Sequence, residues 1–87
     1  MKYEMLLKIF FGGIADNAVS IATIDAFEQE ITRDLAVLKV SKANLARALN
    51  ERDHLFFYLT VSFGVETYEA YLRWCSEAKE LLSEKEN

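Results

Sequence analysis

The chain contains no proline and only three glycines among its 87 residues. Because these two residues are the ones that most often interrupt an α-helix, their scarcity favours long continuous helices. A single cysteine cannot form an internal disulfide and fits a reducing compartment. The sequence has no Lys/Arg run and a net charge of −4, so it lacks the basic surface that binds nucleic acid.

Residues that could carry out chemistry are equally scarce. His54 is the only histidine, with no second His or Cys nearby to share a metal, and Cys75 has no histidine near it in sequence. Glu28, Glu30 and Asp34 are spread along one predicted helix, where we interpret them as solvated or interhelical charges rather than an acid–base pair. The sequence therefore predicts no catalytic residue, no metal site and no cofactor site, and we expect the protein not to be an enzyme.

Long hydrophobic runs are missing as well. No stretch approaches the ~20 apolar residues of a membrane span. The hydrophobic N-terminal segment could be a signal peptide, but it is interrupted by Glu4 and Lys8, and no clean small-residue cleavage site follows it. We therefore expect a cytoplasmic protein without membrane association.

The residues that are present describe a small helical domain. The composition is 52% hydrophobic and 28% charged, which is typical of a globular chain. We predict an all-α fold in one domain, with helices at about residues 2–11, 17–52 and 54–83. Gly12 and Gly13 end the first helix, Asp16 caps the second (Asn17 or Ser20 being alternatives), and Asp53 caps the third. A strand over residues 55–65 would have no partner, so we expect a helix there, with a kink or break near Gly64.

The last two helices carry matching apolar rows at three- and four-residue spacing. The polar turn at residues 50–54 is short, so the helices must pack as an antiparallel, coiled-coil-like hairpin. In this register Glu28 comes level with Lys79 as an ion pair inside the seam, and Lys42 comes level with Val65 beside Gly64. The predicted intrachain seam consists of Ile24, Ile31, Leu35, Leu38, Leu45, Leu49, Tyr58, Val61, Val65, Tyr68, Leu72, Cys75 and Leu82.

The last helix carries a second apolar row beside the first. Its three large rings, Phe57, Tyr71 and Trp74, would expose roughly 450–750 Å² in water, as much as or more than the largest apolar patch of a typical monomer. The short first helix can cover only part of this row, so we predict that a second copy of the chain covers the rest and forms a dimeric helical bundle. The predicted dimer interface comprises Phe10, Phe11, Phe57, Gly64, Tyr71, Trp74, Ala78 and Leu81.

Several segments resemble one family in their order and spacing. The opening LLKIFFG (residues 6–12), the segment LTVSFGV (residues 59–65) and the following YEA and LRWC (residues 68–70 and 72–75) are similar to the C-terminal domain of PadR-like transcriptional regulators. This domain is also called the virulence activator alpha C-terminal domain. The resemblance covers nearly the whole chain, from about residue 2 to residue 82.

The resemblance implies a homodimerisation and regulatory domain that holds two DNA-binding halves together in a full-length parent. DNA would be bound only through a winged helix that these residues do not contain, so the chain is either an excised domain or a natural stand-alone protein. Some family members respond to small aromatic ligands, which leaves a ligand-sensing domain as an alternative. A further alternative is an interaction protein that heterodimerises with full-length relatives.

Overall fold

Two long helices make up most of the described chain. The structure, a computed structural model, describes Glu4, Leu7 and residues 16–84. Helix α1 spans Asn17–Leu45, a 3-10 turn spans Ala46–Ala48, and helix α2 spans Arg52–Glu84. There is no strand among the described residues, and the two helices pack along each other. The prediction of an all-α fold with a helical hairpin is therefore confirmed over this range.

The start of α1 follows from its capping residue. The Asp16 carboxylate accepts a hydrogen bond of 3.0 Å from the backbone N–H of Val19, which satisfies one of the amides that the first helical turn leaves without a partner. The predicted helix over residues 2–11 falls mostly outside the described residues, as do Phe10, Phe11 and the Gly12–Gly13 pair. Glu4 and Leu7 are both helical and exposed.

The connection between the helices differs from the prediction. The helix predicted over residues 17–52 ends at Leu45 and tightens into the 3-10 turn, a common way for the last carbonyls of a helix to find amide partners. Helix α2 begins at Arg52, so Asp53 lies in its first turn and is not its cap. A carboxylate there still interacts favourably with the positive end of the helix dipole. The segment rich in strand-forming residues is helical, and α2 continues through Gly64 without a break.

Side chains from both helices bury a small core near the open end of the hairpin. Ile24, Ile31 and Cys75 are fully buried, and Phe27 joins them at 7% exposure. Phe27 was not in the predicted seam, yet its ring lies 5.7 Å from that of Tyr71. The partly buried residues packed against this cluster are Tyr68, Tyr71, Leu72, Trp74, Ala78 and Leu82.

Burial is distributed unevenly along the hairpin. We call residues 36–64 the turn segment, and residues 17–35 together with 65–84 the two arms. Every buried residue that the structure describes lies in the arms, and none lies in the turn segment. The hairpin measures 56 × 19 × 15 Å, so it is a thin rod whose turn end has no core of its own.

Candidate interaction surface

The turn segment displays large apolar side chains to solvent. Of the eleven large hydrophobic residues that are exposed among those described, eight belong to this segment. The three most exposed are Phe63 at 73%, Val37 at 66% and Val40 at 62%. The others are Leu49, Leu55, Phe56, Phe57 and Leu59. Exposed apolar residues grouped in one segment commonly mark a site where a partner binds.

The structure divides the predicted dimer interface into two groups. Phe57 at 61% and Leu81 at 48% are exposed. Tyr71, Trp74 and Ala78 instead pack against the hairpin's own buried cluster. Gly64 faces the other helix too, because a Cβ atom placed on it would lie 3.4 Å from Leu38 Cδ1. Phe10 and Phe11 lie outside the described residues.

Members of the predicted seam also occupy different environments. Ile24, Ile31, Leu35, Val65 and Cys75 are buried, while Leu49 is 40% exposed. The remaining seam residues are of intermediate exposure, and these are Leu38, Leu45, Tyr58, Val61, Tyr68, Leu72 and Leu82. The buried seam residues therefore all lie in the arms, and the exposed one, Leu49, lies next to the turn.

Lys79 joins the two arms electrostatically. Its ammonium donates hydrogen bonds to Glu28 Oε1 at 2.8 Å and to Asp25 Oδ1 at 2.6 Å. The hydrogen bonds to Asp25 and then to Glu28 raise the pKa of Lys79 above its ordinary value. Near this position the Asn17 side-chain amide donates to the Leu82 carbonyl at 2.9 Å. The open ends of the helices are thus fixed to each other by polar contacts as well as by the core.

A shallow groove lies between the helices beside the turn segment. It encloses about 340 Å³. Lys42 and Val65, which the sequence register placed level with each other, both line it, and the Lys42 Nζ atom lies 5.8 Å from the centre of the Tyr58 ring. Lys39 pairs with Glu69 at 3.4 Å across the same groove. The groove is lined by Lys39, Lys42, Ala43, Ala46, Tyr58, Val65, Glu66 and Glu69.

Cys75 and His54 are the other two residues that the sequence singled out for possible chemistry. Burial raises the pKa of the Cys75 thiol, the Glu28 carboxylate adds to this rise, and the Lys79 ammonium opposes it. His54 lies in the first turn of α2, and its Nδ1 atom is 3.0 Å from Glu51 Oε2. Within the described ranges no group of three or more His, Cys, Asp or Glu side chains is arranged to hold a metal ion.

The sequence as a whole matches one family. The model of the family described as virulence activator alpha C-term matches residues 1–83, which is nearly the full length of the chain. The chain belongs to this family. The sequence of this virulence activator alpha C-terminal domain matches no curated protein and no solved structure. None of the helices in its described part combines the length and hydropathy needed to cross a membrane.

Three features of the domain were not predicted from its sequence. Asp25 is one turn before Glu28 on the same face of α1, so the second carboxylate at Lys79 could have been found from spacing. The exposed residues Phe56, Leu59 and Phe63 also recur at three- and four-residue spacing, which indicates one face of a helix even though the segment is rich in strand-forming residues. Phe27 carries the same signal, because it lies three residues after Ile24 and four before Ile31, and both of these belong to the predicted seam.

Proposed function

We propose that this chain is the homodimerisation and regulatory domain of a PadR-like bacterial transcriptional regulator that acts in the cytoplasm. In the full-length parent it holds two DNA-binding halves together. Membership of the virulence activator alpha C-terminal family supports a regulatory role. The observation that carries dimerisation is the apolar turn segment, which the hairpin leaves uncovered.

The exposed apolar surface of the turn segment is comparable in size to one side of a protein–protein interface. Three phenylalanines and three leucines of the turn segment are between 39% and 73% exposed, which corresponds to roughly 600 Å² of side-chain surface per copy. A standard-size interface buries about 800 Å² per partner, polar rim included. At ~25 cal/mol/Å², covering half of this surface in each of two copies contributes roughly 15 kcal/mol as an upper bound. Association costs ~4–15 kcal/mol, so the balance favours a dimer.

Sedimentation equilibrium of the purified chain tests this proposal. One chain has a mass of 10.0 kDa, and we expect the species at micromolar concentration to have twice that mass. A fusion of the chain to a monomeric DNA-binding domain should then bind two adjacent half-sites more tightly than one. A chain that remains monomeric at tens of micromolar, or a fusion with no preference for paired sites, would refute the proposal.

The groove beside Tyr58 supports a second function, the sensing of a small aromatic acid. Tyr58 offers a ring face and Lys42 offers positive charge for a carboxylate, whereas Lys39 is paired with Glu69. Titration with substituted benzoates should then move the NMR signals of Lys42, Ala46 and Tyr58, with little change in Lys42→Met. Signals that stay unchanged at millimolar ligand would exclude this function. The exposed apolar surface of the turn segment would also pair with a full-length relative that carries the same surface.

A further inference from the structure

The groove beside Tyr58 contains one unpaired charge of each sign. Lys39 and Glu69 pair with each other across it at 3.4 Å. This leaves Lys42 on α1 and Glu66 on α2, which line the same groove and form no ion pair with any residue that the structure describes. Two opposite charges that stay apart on neighbouring helices can each bind the opposite charge of one small molecule. The groove therefore matches a ligand that carries both charges and is neutral overall.

The rest of the groove offers an apolar surface to a single aromatic ring. Its most buried lining residue is Val65, at 4% exposure. The α1 side contributes Ala43 and Ala46, whose small side chains leave space beside the Tyr58 ring. The enclosed volume of about 340 Å³ lies at the lower end of the range for small-molecule sites. The groove therefore fits a compound with one ring and not a larger one.

The positions of the groups along the groove fit an aromatic amino acid. Tyr58 and Glu66 are eight residues apart, or ~12 Å along α2, and the Lys42 ammonium lies 5.8 Å from the centre of the Tyr58 ring. In an aromatic amino acid, one methylene joins the ring to the carbon that carries both charged groups. A ring beside Tyr58 then leaves the carboxylate near Lys42 and the ammonium toward Glu66. A plain aromatic acid would satisfy Lys42 but would bring its negative charge toward Glu66 without compensation.

We propose that this groove binds an aromatic amino acid as its zwitterion, with Lys42 binding the carboxylate and Glu66 the ammonium. This rests on the second proposed function, the sensing of a small aromatic acid, and specifies the ligand class. None of the residues that line the groove is among the exposed large hydrophobic residues, so the ligand leaves the apolar surface of the turn segment uncovered. Because it contacts both helices, the ligand stabilises the hairpin beside a segment that has no buried side chain.

Three ligands that differ only in their charged groups test this assignment. L-phenylalanine carries both groups, phenylpropionate lacks the ammonium, and phenylethylamine lacks the carboxylate. Each is titrated into the isotope-labelled chain while NMR follows the amide signals of Lys42, Ala43, Tyr58 and Glu66. We expect a millimolar Kd for L-phenylalanine, because the ligand is small and the groove is shallow. The other two ligands should bind about three- to fivefold more weakly, since each loses one solvent-exposed ion pair.

Two substitutions assign the charges to residues. Glu66→Gln should weaken the binding of L-phenylalanine about three- to fivefold and remove its advantage over phenylpropionate. Lys42→Met should weaken the binding of both carboxylates and leave that of phenylethylamine unchanged. The matched control is Glu77→Gln, at an exposed carboxylate outside the groove, which should change none of the affinities. Circular dichroism before each titration establishes that the variant is folded.

The outcomes separate this inference from the function on which it rests. If phenylpropionate binds the groove of the parent chain as tightly as L-phenylalanine does, Glu66 does not select the ligand. The inference is then overturned, while the sensing of an aromatic acid survives. If none of the three ligands moves the groove amides at tens of millimolar, both are overturned.

Discussion

The two arms and the turn segment of the same hairpin are stabilised by different means. In the arms, Ile24, Ile31 and Cys75 are fully buried, and Lys79 bonds across to the first helix. In the turn segment no side chain is buried, and Phe63 is 73% exposed. The apolar content of the two regions is similar, so composition does not account for the difference.

Chain connectivity accounts for part of this difference. At the turn the helices are joined covalently by only a few residues, so little further interaction is needed to keep them together. At the open end the described residues of the two helices are held together by side-chain contacts, and that is where the core and the ionic contacts lie. The turn segment can therefore keep its apolar residues on the outside, available to a partner, without losing the hairpin. Substitutions in the two regions should accordingly affect different properties of the protein.

The largest expected effect comes from the arms. Ile31→Ala removes buried methyl groups from a fully packed site and should lower the free energy of unfolding by ~2–5 kcal/mol. Val37→Ala, at a position 66% exposed in the turn segment, should change it by less than ~0.5 kcal/mol. Urea denaturation followed by circular dichroism at one fixed protein concentration measures both. Equal losses in the two variants would mean that the contrast between the regions is not real.

The second effect belongs to the turn segment. Phe63→Ala should weaken self-association by ~2–4 kcal/mol, or roughly 30- to 1,000-fold in Kd, because a central aromatic side chain dominates such an interface. Sedimentation across a dilution series measures the change. The matched control is Val19→Ala, at a position 56% exposed in the arms, which should leave the Kd within about threefold. If Phe63→Ala instead lost its helix content while still dimeric, Phe63 would be a folding residue and not an interface residue.

Gly64 lies at the border of the two regions and allows a smaller test. An added Cβ atom would meet Leu38 Cδ1 at 3.4 Å, which is ordinary contact, and no described glycine has a positive φ angle. Gly64→Ala should therefore raise the free energy of unfolding by ~0.5–1 kcal/mol through helix propensity. Gly64→Leu should lower it, since a longer side chain would force the helices apart. Thermal melts of both variants beside the parent chain measure these changes, and a destabilised Gly64→Ala would show that the helices are packed more tightly here.

Alkaline pH should weaken the arms selectively. The unfolded Cys75 thiol titrates near its ordinary pKa of 9.0, while in the folded chain its pKa is raised. The folded state therefore holds more protons above pH 9, and its stability falls as the pH rises from there. The raised pKa of Lys79 acts in the same direction at still higher pH. Cys75→Ala should lose less stability than the parent chain between pH 8 and pH 10 in urea titrations. An identical pH slope in both would show that the thiol does not contribute.

Much of the hairpin could be predicted from sequence because it depends on spacing. The apolar rows that contain Ile31 and Cys75 fix which faces meet. The register is fixed by the pairing of Glu28 with Lys79 on the opposite helix. The end of α1 at Leu45 could not be predicted, because Ala46, Arg47 and Ala48 all favour a helix and the chain leaves it only to make the turn. Exposure could be predicted only from the helix face. Phe56 and Phe63 are as apolar as Phe27, but Phe27 shares the face of the buried Ile24 and Ile31, whereas Phe63 lies on a different face of α2 from the buried Val65.

Amide hydrogen exchange, measured as a function of protein concentration, tests the contrast between arms and turn segment most directly. Amides of residues 71–82 are protected by the hairpin's own core, so we expect their exchange to be largely independent of concentration. Amides of residues 52–63 gain protection when a second copy covers them, so their exchange should slow markedly between nanomolar and tens of micromolar protein. Equal protection of both segments at every concentration would contradict the division of the hairpin into a self-sufficient core and a surface that a partner completes.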